Sequence, residues 1–279
     1  MGAVTRHSMP PAAGFGKKQP FDSEQLQSEF EYICVNRLGS LTPFRLRRLL
    51  LRWFIIPRHM SSDRVIIDYF TDILCVWAWI SQRRVDELKA QFGNRVEIRC
   101  QFVDVFGDTA TKIENQWGER GGYKGFAAHV ASAAEPYDLA PVSPRIWTET
   151  RPTSSGIAQL FIKAAELAYD ADTANVLARR LRHAFFVDAV DISDVDVLEG
   201  LASDLDLEVD VIRRGVRDGN AMAALLGDYR RATSLGVKGS PVFLMNENRQ
   251  MLYGNVGYRV LQANVEELLR RPATEASWC

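Results

Sequence analysis

The chain has 279 residues, of which 47% are hydrophobic and 25% charged, and its formal net charge is −1. This composition is typical of globular proteins with one large domain or two small ones, and it lacks the basic excess that would indicate a nucleic-acid partner. No apolar run reaches the roughly 20 residues that a membrane-spanning helix needs.

Residues 1–61 are predicted to form an N-terminal extension that is disordered in part. Residues 1–20 are rich in Gly and Pro, lack the apolar core of a secretory signal and are expected to be disordered. A helix is predicted over 22–38. Residues 41–59 are basic and apolar, which favours a helix packed on the domain with its arginines in water; a membrane-surface or partner-binding helix is the alternative.

The four cysteines stand at positions 34, 75, 100 and 279. Their spacing is wide and has no metal-ligand rhythm, so no metal site is predicted. Because no export signal is visible, we expect a cytoplasmic protein whose cysteines are reduced.

Cys75 stands at a predicted transition from strand to helix. Residues 65–70 (VIIDYF) read as a buried strand, and a helical pattern runs over 79–92. The backbone N–H groups at a helix start favour an anion, which is how a protein stabilises a thiolate. Ala78 occupies the position that would complete a Cys-x-x-Cys pair, so the turn is built for the chemistry of one cysteine. Asp72, shortly before it, is expected to cap the turn by a hydrogen bond, and proton transfer is the alternative role.

A second strand is predicted over 95–103, where apolar and polar residues alternate and Cys100 falls on the apolar face. Residues 105–235 are predicted to be mostly helical, with breaks at 118–125, which is rich in Gly, and at 136–152, which is rich in Pro. The helices expected there cover 157–169, 173–187, 195–205 and 208–234.

Strand character returns near the C-terminus. Residues 242–245 and 251–253 are separated by a turn at 246–248 and predict a hairpin, followed by a helix over 260–270. The element order is therefore β-α-β, a long helical block, and β-β-α, which keeps both ends of the domain on one sheet.

Three segments in this order resemble a known family. The first is the strand and turn that lead into Cys75–Ala78 (CVWA), and the second is His183–Leu198 (HAFFVDAVDISDVDVL). The third is Gly236–Phe243 (GVKGSPVF), which Gly254 and Asn255 follow. Residues 62–272 thus resemble the DsbA-like branch of the thioredoxin superfamily, and within it the FrnE-like proteins, the 2-hydroxychromene-2-carboxylate isomerases and the kappa-class glutathione transferases.

The resemblance implies an α/β fold, a thioredoxin-like sheet with a large inserted helical subdomain. The implied parts are a thioredoxin part from 62–104 and 235–272, a helical insertion at 105–234, and a tail at 273–279. The resemblance also implies a cis peptide bond between Ser240 and Pro241. That bond would bring the backbone of Ser240 up to Cys75, where its N–H and C=O can pair with an extended peptide or with glutathione.

The chain departs from its relatives at two positions. DsbA-type oxidases carry a second cysteine where Ala78 stands. The isomerases and kappa-class transferases usually carry serine where Cys75 stands. Neither the oxidase activity nor the isomerase or transferase activity can be assigned to this chain from the resemblance alone, and three functions stay open.

The first function is a thiol-disulfide oxidoreductase that uses one cysteine. The Cys75 thiolate would attack a disulfide or a glutathionylated thiol, and glutathione, as co-substrate, or Cys279 would resolve the mixed disulfide. A mild lowering of the Cys75 pKa is expected, because the helix start favours the thiolate while no cationic residue is adjacent in sequence.

The second function is a glutathione-dependent isomerase or transferase acting on a small apolar or aromatic substrate. Glutathione would lie along Ser240 and Pro241, with polar contacts from Asn255. The aromatic residues that would line the pocket are Trp77, Trp79, Trp117, Tyr123 and Trp147. The third function is a non-catalytic scaffold. A homodimer also stays open.

Overall fold

The computed structural model describes residues 64–271. In chain order, its strands and α-helices are β1 (Val65–Thr71), α1 (Val76–Phe92), β2 (Val96–Phe102), α2 (Thr109–Trp117), α3 (Gly122–Ala134), α4 (Gly156–Ala168), α5 (Ala171–Phe186), α6 (Val195–Ser203), α7 (Val209–Arg217), α8 (Asn220–Ser234), β3 (Val242–Met245), β4 (Gln250–Tyr253) and α9 (Tyr258–Arg270). The predictions for 1–61, including the segments 22–38 and 41–59, and those for Cys34, Cys279 and the tail lie outside the described residues.

The four strands form one mixed sheet in the order β2-β1-β3-β4. β1 pairs with β2 in parallel, with Val65 opposite Val96, and α1 makes the connection between them. β3 runs antiparallel to both β1 and β4. β1 is buried along nearly its whole length, as expected for an inner strand, whereas β2 alternates buried and half-buried residues.

The helical insertion lies between β2 and β3, as the sequence predicted. Its central helix is α4, which packs against α5, α7 and α8. Together with the sheet, this confirms the predicted α/β fold of a thioredoxin-like sheet with an inserted helical region.

Several helix boundaries differ from the prediction. α1 begins at Val76, three residues before the predicted start at Trp79, with Cys75 as its N-cap. The helix predicted over 208–234 is two helices, which separate at Gly219, whose φ of 81° is a left-handed conformation that suits glycine. The break predicted at 118–125 is shorter than expected, because a 3-10 turn covers Gly118–Arg120 and α3 already begins at Gly122.

The sheet separates two apolar clusters of unequal size. The larger one fills the space between the sheet, α1 and the insertion, and includes both Cys75 and Cys100. The smaller one lies around Phe70 and Val242. Cys100 is 5% exposed, so the prediction that it points into the core is confirmed. Within 64–271 the structure contains no helix with the length and apolar character to cross a membrane.

Candidate active site

Cys75 forms the N-cap of α1, at the end of a turn that follows β1. Its backbone N–H donates to the carbonyl of Asp72 at 3.2 Å, and its own carbonyl accepts from Trp79 N at 3.0 Å. The residue is 7% exposed. The turn therefore holds the thiol at the carboxyl edge of the sheet with only a small opening to solvent.

The peptide bond between Ser240 and Pro241 is cis, and it lies against this turn. The Cys75 Sγ donates to the carbonyl oxygen of Ser240 at 3.3 Å. The Ser240 Oγ accepts from the backbone N–H of Asp72 at 2.9 Å. Cys75, Ser240 and Pro241, which are far apart in sequence, thus form one site, and the Ser240 carbonyl is already engaged by the thiol.

Asp72 connects three segments of the chain through a fully buried carboxylate that accepts four hydrogen bonds. Its Oδ1 accepts from Leu74 N at 2.9 Å, which is the turn hydrogen bond that the sequence predicted. Its Oδ2 accepts from Val105 N at 3.1 Å, from Phe106 N at 3.0 Å and from Ser155 Oγ at 2.8 Å. No local pattern indicated the last three contacts, because their donors lie in a loop and at the N-cap of α4, more than 30 residues away.

A family model for the DSBA-like thioredoxin domain matches residues 66–266. The match spans both strands that flank Cys75, the helical insertion and the cis-proline segment. The chain belongs to the DSBA-like thioredoxin domain family.

Solved structures with the same fold include several DSBA-like proteins. A probable DsbA oxidoreductase from Streptomyces coelicolor is 19% identical with a TM-score of 0.59, and the match covers 77% of this chain and 94% of that one. The cytosolic disulfide reductase DsbM from Pseudomonas aeruginosa, solved with GSH, is 20% identical with a TM-score of 0.56 and coverages of 74% and 100%. A 2-hydroxychromene-2-carboxylate isomerase is 15% identical with a TM-score of 0.53 and coverages of 74% and 96%. Identities this low show a shared fold only. The comparison with curated proteins returned no match.

The Cys75 thiol of this DSBA-like domain does not have the lowered pKa that the sequence predicted. Burial raises the pKa of Cys75, and the nearby Asp72 carboxylate adds to the rise. Hydrogen bonding by the Ser240 side chain and by the backbone of Ala78 and Trp77 lowers the pKa of Cys75 without reversing the effect. The prediction was wrong because it counted the helix start and left out the desolvation of the thiol, which only the tertiary structure reveals.

Asn255 has both of its side-chain polar atoms engaged within the protein. Its Oδ1 accepts from the Arg84 guanidinium, and its Nδ2 donates to the Tyr137 hydroxyl at 2.6 Å. Trp77, in the first turn of α1, is half-buried and packs on the larger apolar cluster. Trp77 therefore lies close to Cys75, whereas hydrogen bonds to Arg84 of α1 and to Tyr137 of the insertion hold the side chain of Asn255.

The other aromatic candidates are mostly part of the core. Trp147 is 0% exposed and packs against Phe185 with ring centroids 5.3 Å apart, so it does not line a pocket as predicted. Trp117 is buried against Phe126. Trp79 differs, because it borders a cavity of about 310 Å³ between α1 and α5.

Among residues 64–271, no group of three or more His, Cys, Asp and Glu side chains comes together as a metal site would require. His183 pairs with Asp188 at 3.2 Å, and His129 packs on Trp117. Neither histidine has a contact with Cys75 in the described structure.

Proposed function

We propose that this DSBA-like protein is a thiol-disulfide exchange enzyme that acts through Cys75 alone, with glutathione as the second thiol. The observation that carries the proposal is the 3.3 Å contact between Cys75 Sγ and the carbonyl oxygen of Ser240, next to the cis Pro241. A substrate backbone that replaced the thiol on this carbonyl would pair with the segment while Cys75 attacked its disulfide.

The reaction is two successive exchanges. The Cys75 thiolate attacks one sulfur of a mixed disulfide between glutathione and a second thiol, the sulfur–sulfur bond breaks, and the second thiol leaves as a thiolate that takes up a proton. A glutathione thiolate then attacks the glutathionyl sulfur on Cys75, which releases the Cys75 thiolate and glutathione disulfide. The net reaction converts the mixed disulfide and one glutathione into the free second thiol and glutathione disulfide, so the second thiol is reduced and the incoming glutathione thiol is oxidised.

Ala78 supports the use of one cysteine. It lies in the first turn of α1, fully buried, at the position where a pair would need its second thiol. Cys100 is the other cysteine among residues 64–271; it is buried on β2, and burial raises its pKa to about 11. An external thiol is therefore the expected resolving group.

The raised pKa of Cys75 has two opposing effects on the rate. Each unit by which the pKa of Cys75 rises lowers the fraction of thiolate at neutral pH about tenfold, but it also makes the thiolate roughly threefold more nucleophilic. The first exchange therefore slows only about threefold for each unit. A thiol of high pKa is also a poor leaving group, which slows the second exchange. The glutathionyl adduct of Cys75 is the intermediate that connects the two exchanges, and its mass identifies it.

The test is reduction of the mixed disulfide between glutathione and 2-mercaptoethanol by reduced glutathione, coupled to glutathione reductase and NADPH. The full-length chain is compared with Cys75→Ser and with Cys100→Ser as the matched control. We expect Cys75→Ser to lose the protein-dependent rate and the glutathionyl adduct in the intact mass, and Cys100→Ser to keep both. A rate that survives in Cys75→Ser, or a wild-type protein without an adduct, would refute the proposal.

A glutathione-dependent isomerase or transferase is the second candidate. The observation in its favour is the cavity of about 310 Å³ beside Trp79, one helical turn past Cys75, with Leu139 and Val176 also in its lining. Such an enzyme would keep its activity in Cys75→Ser, because a serine hydroxyl can still donate a hydrogen bond to the glutathione sulfur. The same variant therefore separates the two candidates.

A further inference from the structure

Arg84 is a half-buried arginine of α1 that forms no ion pair with any carboxylate among residues 64–271. Its guanidinium donates to Asn255 Oδ1 and to Ser81 Oγ, the latter at 3.4 Å. It also lies over the Tyr137 ring, 5.7 Å from the centroid. All three partners are neutral, so the charge of this cation is not compensated locally.

A chain of contacts connects this guanidinium to the candidate site. The carbonyl of Ser240 accepts from Cys75 Sγ, and the next carbonyl, that of Pro241, accepts from Gly254 N at 2.8 Å. Asn255 is the following residue, and its side chain contacts Arg84. The guanidinium therefore lies beside the segment that pairs with the cis-proline loop.

The direction of the side chain brings the charge closer to the thiol. Arg84 lies nine positions after Cys75, which is about 13.5 Å along a helix axis. Long side chains on a helix lean toward its N-terminus, and the contact with Ser81, one turn earlier, shows that Arg84 does so. At about 100° per residue the two positions lie on opposite sides of α1, so the contact with Asn255, and not the axial distance, is what places the guanidinium beside the cis-proline loop.

Space for an anion is present beside this guanidinium. A cavity of about 290 Å³ is lined by Ile80, Arg83, Arg84, Tyr137 and Leu139. Asp138 is the one acidic residue of its lining. Arg83 also pairs with Glu87, at 3.7 Å and largely in solvent, and such a pair holds its charge weakly. Two guanidinium groups against one carboxylate make the cavity favourable for a carboxylate ligand.

We infer that Arg84 binds a carboxylate of the thiol or disulfide substrate and so selects acidic peptide thiols of the glutathione class over neutral thiols. The inference rests on the proposed function and names its substrate class. The substrate carboxylate replaces the Asn255 amide oxygen on the guanidinium, because a charged acceptor that bonds in a bidentate manner binds more strongly than a neutral one. Asn255 keeps its hydrogen bond to Tyr137 after the exchange.

The experiment measures one exchange step, the formation of the Cys75 mixed disulfide, from intact mass against time. Reduced full-length protein is mixed with glutathione disulfide or with the neutral bis(2-hydroxyethyl) disulfide. The variants are Arg84→Gln, Arg84→Lys and, as a matched loss of a cation on the same helix outside the cavity, Lys89→Gln. We expect Arg84→Gln to lower the rate constant with glutathione disulfide about tenfold and to leave that with the neutral disulfide unchanged. Arg84→Lys should restore part of the preference, and Lys89→Gln should change it less than twofold. Equal losses with both disulfides, or no loss with either, would overturn the inference.

Binding of S-methylglutathione, which cannot exchange, separates this inference from the proposed function. Isothermal titration of the wild type and of Arg84→Gln with this probe requires no reaction at Cys75. Weaker binding by Arg84→Gln together with an unreactive Cys75 would refute the exchange function and support the carboxylate site. Equal binding by both proteins, or binding by neither, would refute the carboxylate site whatever the exchange assay shows.

Discussion

The buried carboxylate of Asp72 allows a test of how the Cys75 turn is held in place. Asp72→Asn keeps the shape of the side chain but replaces one acceptor oxygen by an NH₂ donor. In the better of the two amide orientations, the remaining oxygen keeps the three donors of Val105, Phe106 and Ser155. The NH₂ group then faces the backbone N–H of Leu74, which loses its acceptor.

The expected cost follows from these contacts. Two buried donors are left without acceptors, at about 1–3 kcal/mol each. Removal of the buried charge offsets part of this cost, because burial raises the pKa of Asp72 and so disfavours its ionised form. We expect a net loss of about 2–4 kcal/mol in the free energy of unfolding.

Urea unfolding followed by tryptophan fluorescence measures this loss. With an m-value of about 3 kcal/mol/M, the midpoint should fall by about 1 M. Ser155→Ala is the control, because it removes one of the four donors and leaves the carboxylate with three; we expect it to cost about 1 kcal/mol. The reasoning fails if Asp72→Asn changes the free energy of unfolding by less than 0.5 kcal/mol, about the scatter of a neutral substitution, or by no more than Ser155→Ala does.

Three further predictions concern the thiol and the core. The rate at which iodoacetamide alkylates Cys75, followed by peptide mapping, should rise with pH through an inflection above about 8.5, the ordinary pKa of cysteine. The reason is that burial raises the pKa of Cys75 and only the thiolate reacts. An inflection below that value would contradict this prediction. Lys163→Met should lower the free energy of unfolding by about 3–5 kcal/mol, because the buried carboxylate of Asp228 would lose the cation that lies 2.9 Å away. An unchanged urea midpoint would argue against a contribution of this ion pair to stability. Trp147→Ala should cost about 3–5 kcal/mol in thermal unfolding, because its fully buried ring leaves a cavity beside Phe185, and a variant as stable as the wild type would show that the ring is not part of the core.

The raised pKa bears on how the proposed enzyme would work. In this structure the thiol donates to the Ser240 carbonyl, and a protonated thiol is the form that can make this contact. A substrate that takes over the carbonyl removes the contact and opens the thiol to a partner. Reactivity would then depend on substrate binding more than on a permanently formed thiolate.

The order of the elements and the position of Cys75 between a strand and a helix could be predicted from local patterns in the sequence. Apolar runs of strand length, the helical period from Trp79 to Phe92 and the alternation in 95–103 are local signals, and each element formed where its signal lay. The buried position of Cys100 followed in the same way from strand alternation. Boundaries were less well determined, as the separate helices on either side of Gly219 show.

The tertiary structure alone decided how the site is held and charged. The carboxylate of Asp72 meets Val105 and Ser155, and Arg84 meets Asn255 across 171 residues of chain, so no local pattern carries these contacts. The direction of the Cys75 pKa also depends on packing, because desolvation of a thiol is set by everything that surrounds it. Local periodicity determines where an element forms, whereas the environment of a reactive group depends on elements that only folding brings together.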